Sequence, residues 1–169
     1  MEGMELFLVR HAIALPLPEG AGEEEDDARP LTPKGVRRFR KVVRGLAALG
    51  VGLDLILTSP KRRALETAEL LSDLLQGETR VSPHLAEPPG EELLAEIPAE
   101  GRVALVGHEP YLSVFLTQLL FGDLLGGSVQ DALEGRFLLK KGGVAWLEGT
   151  PRPGGMTLRA LFPPKVFRL

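Results

Sequence analysis

The sequence predicts an α/β fold built on a mostly parallel sheet. Three observations carry this expectation. Short apolar runs of strand length alternate with amphipathic stretches of helical period over the first two thirds of the chain. A capping residue followed by proline opens two of the helical stretches, at Thr32-Pro33 and Ser59-Pro60. No internal repeat and no linker-like segment interrupts the 169 residues, so positions 1–169 read as one domain.

The elements follow in order. Glu5 to Val9 is a buried-type strand that ends abruptly at Arg10-His11. Pro16 to Ala28 reads as a loop, broken by Pro16, Pro18, Gly20 and Gly22 and kept in water by the acidic run Glu23 to Asp27. That run is expected to be a solvated loop, with ordering or excluding partners as the alternative role. A helix then runs from Pro33 to about Leu49, with Gly50 as its stop. It places Val36, Phe39, Val43 and Leu46 on one face and Arg37, Arg38, Arg40, Lys41 and Arg44 mostly on the others. Leu53 to Thr58 is a second buried strand. The helix behind Ser59-Pro60 carries the stripe Ala64, Ala68, Leu71 and Leu75. Arg80-Val81 reads as a brief third strand, and Glu91 to Ile97 as a short helix stopped by Pro98. Arg102 to Val106 is a fourth strand, entering a helix from about Pro110 to Phe121. Beyond a turn at Gly126-Gly127 and a short helix near Val129 to Leu133, strands are expected at Val144 to Leu147 and Met156 to Phe162.

Composition excludes several kinds of chemistry. The chain has no Cys, so disulfides, thiolate metal sites and Cys nucleophiles are ruled out. With three His in all, a multi-His metal centre is hard to build. Lys plus Arg number 20 against 23 Asp plus Glu, a net charge of −3 that argues against a dedicated nucleic-acid binder. No apolar run reaches membrane-helix length, and Met1 to Arg10 reads as a strand rather than a signal peptide. A cytoplasmic protein is the expectation.

In open α/β sheets, ligands bind beyond the carboxyl ends of the strands. Here those ends carry Arg10-His11 after the first strand, Arg63 just after the second and His108 after the fourth. Two of the three histidines therefore converge on one sheet edge with two arginines. Cations gathered beside helix N-termini suit an oxyanion such as phosphate. His84, between Pro83 and Leu85, reads as an ordinary loop histidine.

These residues sit in motifs. Leu8-Val9-Arg10-His11-Ala12 resembles the Arg-His-Gly signature of the histidine phosphatase (phosphoglycerate-mutase-like) superfamily, with Ala12 where the wider superfamily has Gly. Ser59-Pro60-Lys61-Arg62-Arg63-Ala64-Leu65-Glu66-Thr67 is similar to its Ser-Pro-x-x-Arg-Ala-x-x-Thr segment, and Val106 to Pro110 to its second histidine motif. Arg29-Pro30-Leu31-Thr32-Pro33-Lys34-Gly35 resembles a segment of the short SixA-type phosphohistidine phosphatases. The four motifs arrive in family order between positions 8 and 110.

The resemblance implies a three-layer α/β/α sandwich and a metal-independent phosphatase with no cofactor. It makes His11 a nucleophile that carries a covalent phosphohistidine, with Arg10, Arg63 and His108 holding the phosphoryl oxygens. The acid that larger members supply has Glu87 as its first candidate here, with Glu91 and Glu92 as rivals. Short spacers between motifs leave the site open to a protein surface, which favours a phosphohistidine-bearing protein as substrate. Small phosphate esters such as sugar phosphates or nucleotides are the alternative, and a non-catalytic phosphate-sensing module is a third reading. Neither nucleic acid nor membrane is an expected partner.

Overall fold

A computed structural model describes residues 3–122 and 136–168. In chain order it contains β1 (Met4–Arg10), α1 (Glu23–Asp27), α2 (Pro33–Ala48), β2 (Leu53–Thr58), α3 (Arg62–Leu71), β3 (Leu75–Val81), α4 (Glu91–Glu96), β4 (Gly101–Gly107), α5 (Tyr111–Phe121), β5 (Val144–Gly149) and β6 (Met156–Phe162). The strands form one six-stranded sheet in the order β3-β2-β4-β1-β5-β6. β1 to β4 are mutually parallel, whereas β5 runs antiparallel to β1 and β6 antiparallel to β5. The turn expected at Gly126-Gly127 and the helix expected at Val129 to Leu133 lie outside the described residues.

The central strands are apolar on both faces because both faces are covered. Alternate residues Leu6, Leu8, Leu55, Leu57, Val103 and Leu105 pack against α4 and α5 through Leu93, Leu112, Phe115 and Leu116. Their neighbours Phe7, Val9, Ile56, Ala104 and Val106 face α2 and α3 through Phe39, Val43, Leu46, Ala64 and Ala68. The result is a three-layer helix–sheet–helix sandwich. Among the described residues no helix is long and apolar enough to cross a membrane.

Four expectations need correction. Glu23–Asp27 is a short helix rather than a loop, stabilised by ion pairs with Arg29, Lys61 and Arg63. The helix after Ser59-Pro60 starts only at Arg62, because Ser59 is engaged elsewhere and Lys61 occupies the N-cap without a side-chain cap bond. Leu75 leaves that helix, which ends at Leu71, and opens β3 instead. β3 itself spans Leu75–Val81, well beyond Arg80-Val81. It is an exposed edge strand of sequence Leu-Gln-Gly-Glu-Thr-Arg-Val, so no buried face imposes an apolar alternation on it.

The start of α2 bears directly on the site. Thr32 caps it by accepting a hydrogen bond from the Gly35 N–H at 2.9 Å. Its own N–H donates to the Ile13 carbonyl at 2.9 Å. A side chain at Gly35 would begin 2.3 Å from that same carbonyl, so only glycine lets α2 approach the segment leaving β1.

Candidate active site

β1 and β4 are neighbours in parallel register, with Arg10 opposite Gly107. The residues immediately beyond them, His11 and His108, therefore emerge side by side with ring centroids 5.2 Å apart. The His11 N–H donates to the Gly107 carbonyl at 3.0 Å, extending the ladder one step past the strands. β2 lies on the far side of β4, and the α3 helix that follows it delivers Arg63 to the same edge. Both histidines are only 6% exposed and Arg63 only 5%, so this is a recessed site rather than a surface cluster.

Local contacts fix each group. The His11 Nδ1 lies 2.7 Å from the carbonyl oxygen of Ala12. A carbonyl can only accept, so Nδ1 carries the proton and Nε2 keeps its lone pair. Burial pushes the His11 pKa down to about 4, and the Arg63, Arg10 and Lys141 charges push in the same direction against the Ala12 hydrogen bond. His11 is thus a neutral imidazole at pH 7. Ala12 carries no strain in the glycine position of the motif, since no described residue other than glycine has positive φ. Its N–H donates to the Thr67 hydroxyl at 3.0 Å, and that hydroxyl donates to the Arg63 carbonyl at 2.7 Å. Thr67 thereby ties the arginine helix to the nucleophile segment.

His108 Nε2 is 2.7 Å from the Ser59 hydroxyl oxygen, which also accepts from the Lys61 N–H at 3.2 Å. This explains the late start of α3: Ser59 serves the histidine instead of capping the helix. Burial lowers the His108 pKa to about 3, helped by His11, Arg63 and Lys61.

Arg63 donates from Nη1 to the Asp26 carbonyl at 2.8 Å and from Nη2 to the Asp26 carboxylate at 3.4 Å. Arg29 and Lys61 meet the same carboxylate at 2.9 and 3.5 Å. Burial works to raise the Asp26 pKa, but Arg63, Arg29 and Lys61 together hold it below the usual carboxylate range. Arg10 donates from Nη1 to the Leu139 carbonyl at 3.1 Å, and Glu109 is the carboxylate whose field acts on it. Glu109 is itself held by the Ser113 N–H at 2.8 Å and by the Ser113 hydroxyl. Burial draws both guanidinium pKa values down, yet arginine remains cationic. Among the described residues, Arg10 Nε, Arg63 Nε and His108 Nδ1 are buried side-chain nitrogens without a hydrogen-bond partner. Both guanidinium Nε–H groups are donors of the kind an oxyanion satisfies.

The structure brings His11, His108, Arg10 and Arg63 into one electrostatic cluster. It does not bring Glu87 against them: that carboxylate is half-exposed and bonded to His84 Nδ1 at 3.0 Å. Glu91 and Glu92 occupy the exposed first turn of α4. His84 is a loop histidine paired with Glu87, as its sequence context suggests. The residues that sequence reasoning passed over are Ser59, Asp26 and Glu109. Ser59 and Glu109 lie inside the motifs, whereas Asp26 lies within an acidic run.

Fold and site together define an α/β protein with paired histidines and two arginines at the carboxyl edge of its sheet. The profile of the histidine phosphatase superfamily (branch 1) matches residues 6–91, just over half of the chain, including most of β1 and all of α2, β2 and α3. The chain belongs to the histidine phosphatase superfamily. An uncharacterized protein from Picosynechococcus is 38% identical over 128 residues, covering 71% of this chain and 75% of that one. The protein histidine phosphatase SixA complexed with tungstate has a similar fold, with a TM-score of 0.74, 23% identity and coverage of 98% of this chain and 100% of the other. The alpha-ribazole phosphatase from Shigella flexneri follows with a TM-score of 0.67 and 19% identity over 95% of this chain and 97% of its own.

Proposed function

We propose that the protein is a metal-independent phosphohistidine phosphatase acting through a covalent intermediate on His11. The observation that carries this reading is the His11 imidazole: neutral, with Nδ1–H committed to Ala12 and the Nε2 lone pair available. In the first step Nε2 bonds to phosphorus while the phosphorus–nitrogen bond of the substrate breaks. The substrate imidazole departs as a neutral base, its distal nitrogen having taken a proton from solvent. In the second step water attacks the His11-bound phosphoryl group, releasing phosphate and returning the electron pair to Nε2. Arg10, Arg63 and His108 hold the transferring oxygens, where each contact is worth on the order of 10²–10³ in rate.

The choice of substrate follows from proton supply. The carboxylate acting on His108 is Asp26, and three cations keep it ionised, which makes it a poor donor to a leaving alkoxide. An imidazole leaving group needs no such donor. The fold likeness to SixA is consistent with this reading, and the likeness to an alpha-ribazole phosphatase keeps small phosphate esters as the alternative.

The test compares a phosphohistidine protein with sugar phosphates, nucleotides and p-nitrophenyl phosphate. Phosphohistidine is expected to give the highest kcat/KM, with an acid-labile phosphoenzyme that disappears in His11→Ala. Preferential turnover of an alkyl phosphate replaces the substrate assignment, and full activity in a folded His11→Ala protein removes the mechanism.

A further inference from the structure

The net charge of −3 conceals a segregation of charge around the site. On the Arg63 side stands the acidic helix α1, whose Asp26 and Asp27 are paired with cations. On the Arg10 side Glu109 acts on the arginine itself, but among the described residues no acid is ion-paired with the cations beyond it. Arg10 lines a cleft of about 450 Å³ together with Lys140, Lys141, Lys165 and Arg168. Arg168 also lines a second groove of about 470 Å³ with Lys34, Arg37, Arg38 and Lys41 of α2. The shared Arg168 joins the two into one basic face that ends at a site arginine. From Lys34 to Lys41 the helical stripe alone is about 10 Å long.

Three features of this face point to a ligand. Among the described residues no acidic side chain lines either groove. Among the described residues none of the lysines and arginines named in it is ion-paired, although the chain carries more acids than bases. The cleft beside Arg10 also has an apolar component from Ile13, Pro163 and Pro164. Cations over an apolar wall suit a peptide with carboxylates better than a bare phosphate chain. Among the described residues no aromatic side chain lines either groove to give nucleic-acid bases a stacking platform.

The geometry points to an acidic segment of the phosphorylated protein as the occupant of this face. Carboxylates flanking the phosphohistidine lie along Lys140, Lys165, Arg168 and the α2 stripe while the phosphoryl group reaches His11. This inference rests on the phosphohistidine reading above. It deepens that reading by giving the enzyme a sequence preference: acidic flanks are steered in, and basic flanks are repelled.

The test uses the full chain and three synthetic phosphohistidine peptides of equal length, flanked by Glu, Ala or Lys. At low ionic strength the Glu-flanked peptide is expected to exceed the Ala-flanked one in kcat/KM by about tenfold. The gap should close in about 0.5 M salt, where exposed charges are screened within a few ångströms. Lys165→Glu with Arg168→Glu should invert the preference while leaving p-nitrophenyl phosphate turnover within about twofold. Arg37→Glu with Lys41→Glu, on the exposed face of α2, gives an independent readout should the first pair fail to fold. Equal kcat/KM for the three peptides overturns the inference. So does stronger inhibition by a DNA oligonucleotide or linear polyphosphate than by the unphosphorylated Glu peptide. If no peptide is hydrolysed while p-nitrophenyl phosphate is, the phosphohistidine reading fails. Binding of the unphosphorylated Glu peptide then decides the face separately: salt-sensitive binding lost in the charge-reversed variants sustains it, and no binding removes it.

Discussion

Acidification tests the central claim about His11. Its Nδ1–H is committed to the Ala12 carbonyl, and burial among Arg63, Arg10 and Lys141 brings its pKa to about 4. An ordinary imidazole, with a pKa of about 6.5, would be only about 9% neutral at pH 5.5; a pKa of about 4 leaves about 97% neutral. Once the substrate's own phosphate ionisation is divided out, kcat/KM should therefore fall less than about twofold between pH 7 and 5.5. An unperturbed nucleophile would lose about tenfold over the same interval. Nitrogen-15 resonances of the ring report the same property directly. They should show the Nδ1–H tautomer at neutral pH and a midpoint near 4, and Lys141→Ala should move that midpoint upward. An Nε2–H tautomer, or a midpoint at or above 6.5, would refute the reasoning. Stability should follow with a definite sign. Above about pH 6.5 the ring is neutral in both folded and unfolded chains and contributes nothing. Between 6.5 and 4 the unfolded chain binds a proton that the fold rejects, so stability falls as the pH falls, by about 3 kcal/mol from His11 alone. His108, held at about 3, adds to the loss.

Two substitutions probe the neighbours. Ser59→Ala removes the hydroxyl at 2.7 Å from His108 Nε2 and strands the Lys61 N–H. It should cost about 1 kcal/mol of stability and lower kcat about tenfold on every substrate, with KM little changed; an unaltered kcat would detach Ser59 from the site. Glu87→Gln breaks a half-exposed contact with His84, so phosphohistidine and p-nitrophenyl phosphate turnover should stay within about twofold. An equal loss of about 10²-fold on both substrates would instead make Glu87 a general participant in the chemistry.

What the sequence made legible follows from where burial acts. β1, β2 and β4 are enclosed on both faces, so their residues are apolar throughout and the polar residues at their ends stand out. That contrast is why Arg10, His11, Arg63 and His108 are legible in the sequence, and why their convergence is too. β3 offered no such contrast, because an exposed edge strand is under no pressure to alternate. α1 escaped for a related reason: its five residues are all acidic and none is buried, so no apolar face announces a helix. It is stabilised by tertiary charge pairs that link Asp26 to Arg63, 37 positions later. Ser59 illustrates a third limit. Serine before proline reads as a cap because local backbone donors are the usual partner of its hydroxyl, and only the sheet order reveals a histidine 49 residues away as the stronger claimant.

The same distinction governs charge. The total of −3 is a sum over the chain, and a sum carries no information about placement. Folding puts the acidic α1 beside Arg63 and the basic residues Lys140, Lys141, Lys165 and Arg168 beside Arg10, so the two arginines of one site border surfaces of opposite sign. Asp26 makes one arginine a fixed part of the wall, with both its Nη groups occupied. The other borders a basic cleft. A binder of free phosphate has no use for that asymmetry, since phosphate presents the same charge from every direction. A phosphoryl group attached to an acidic chain does, because the chain must leave the site along a single path.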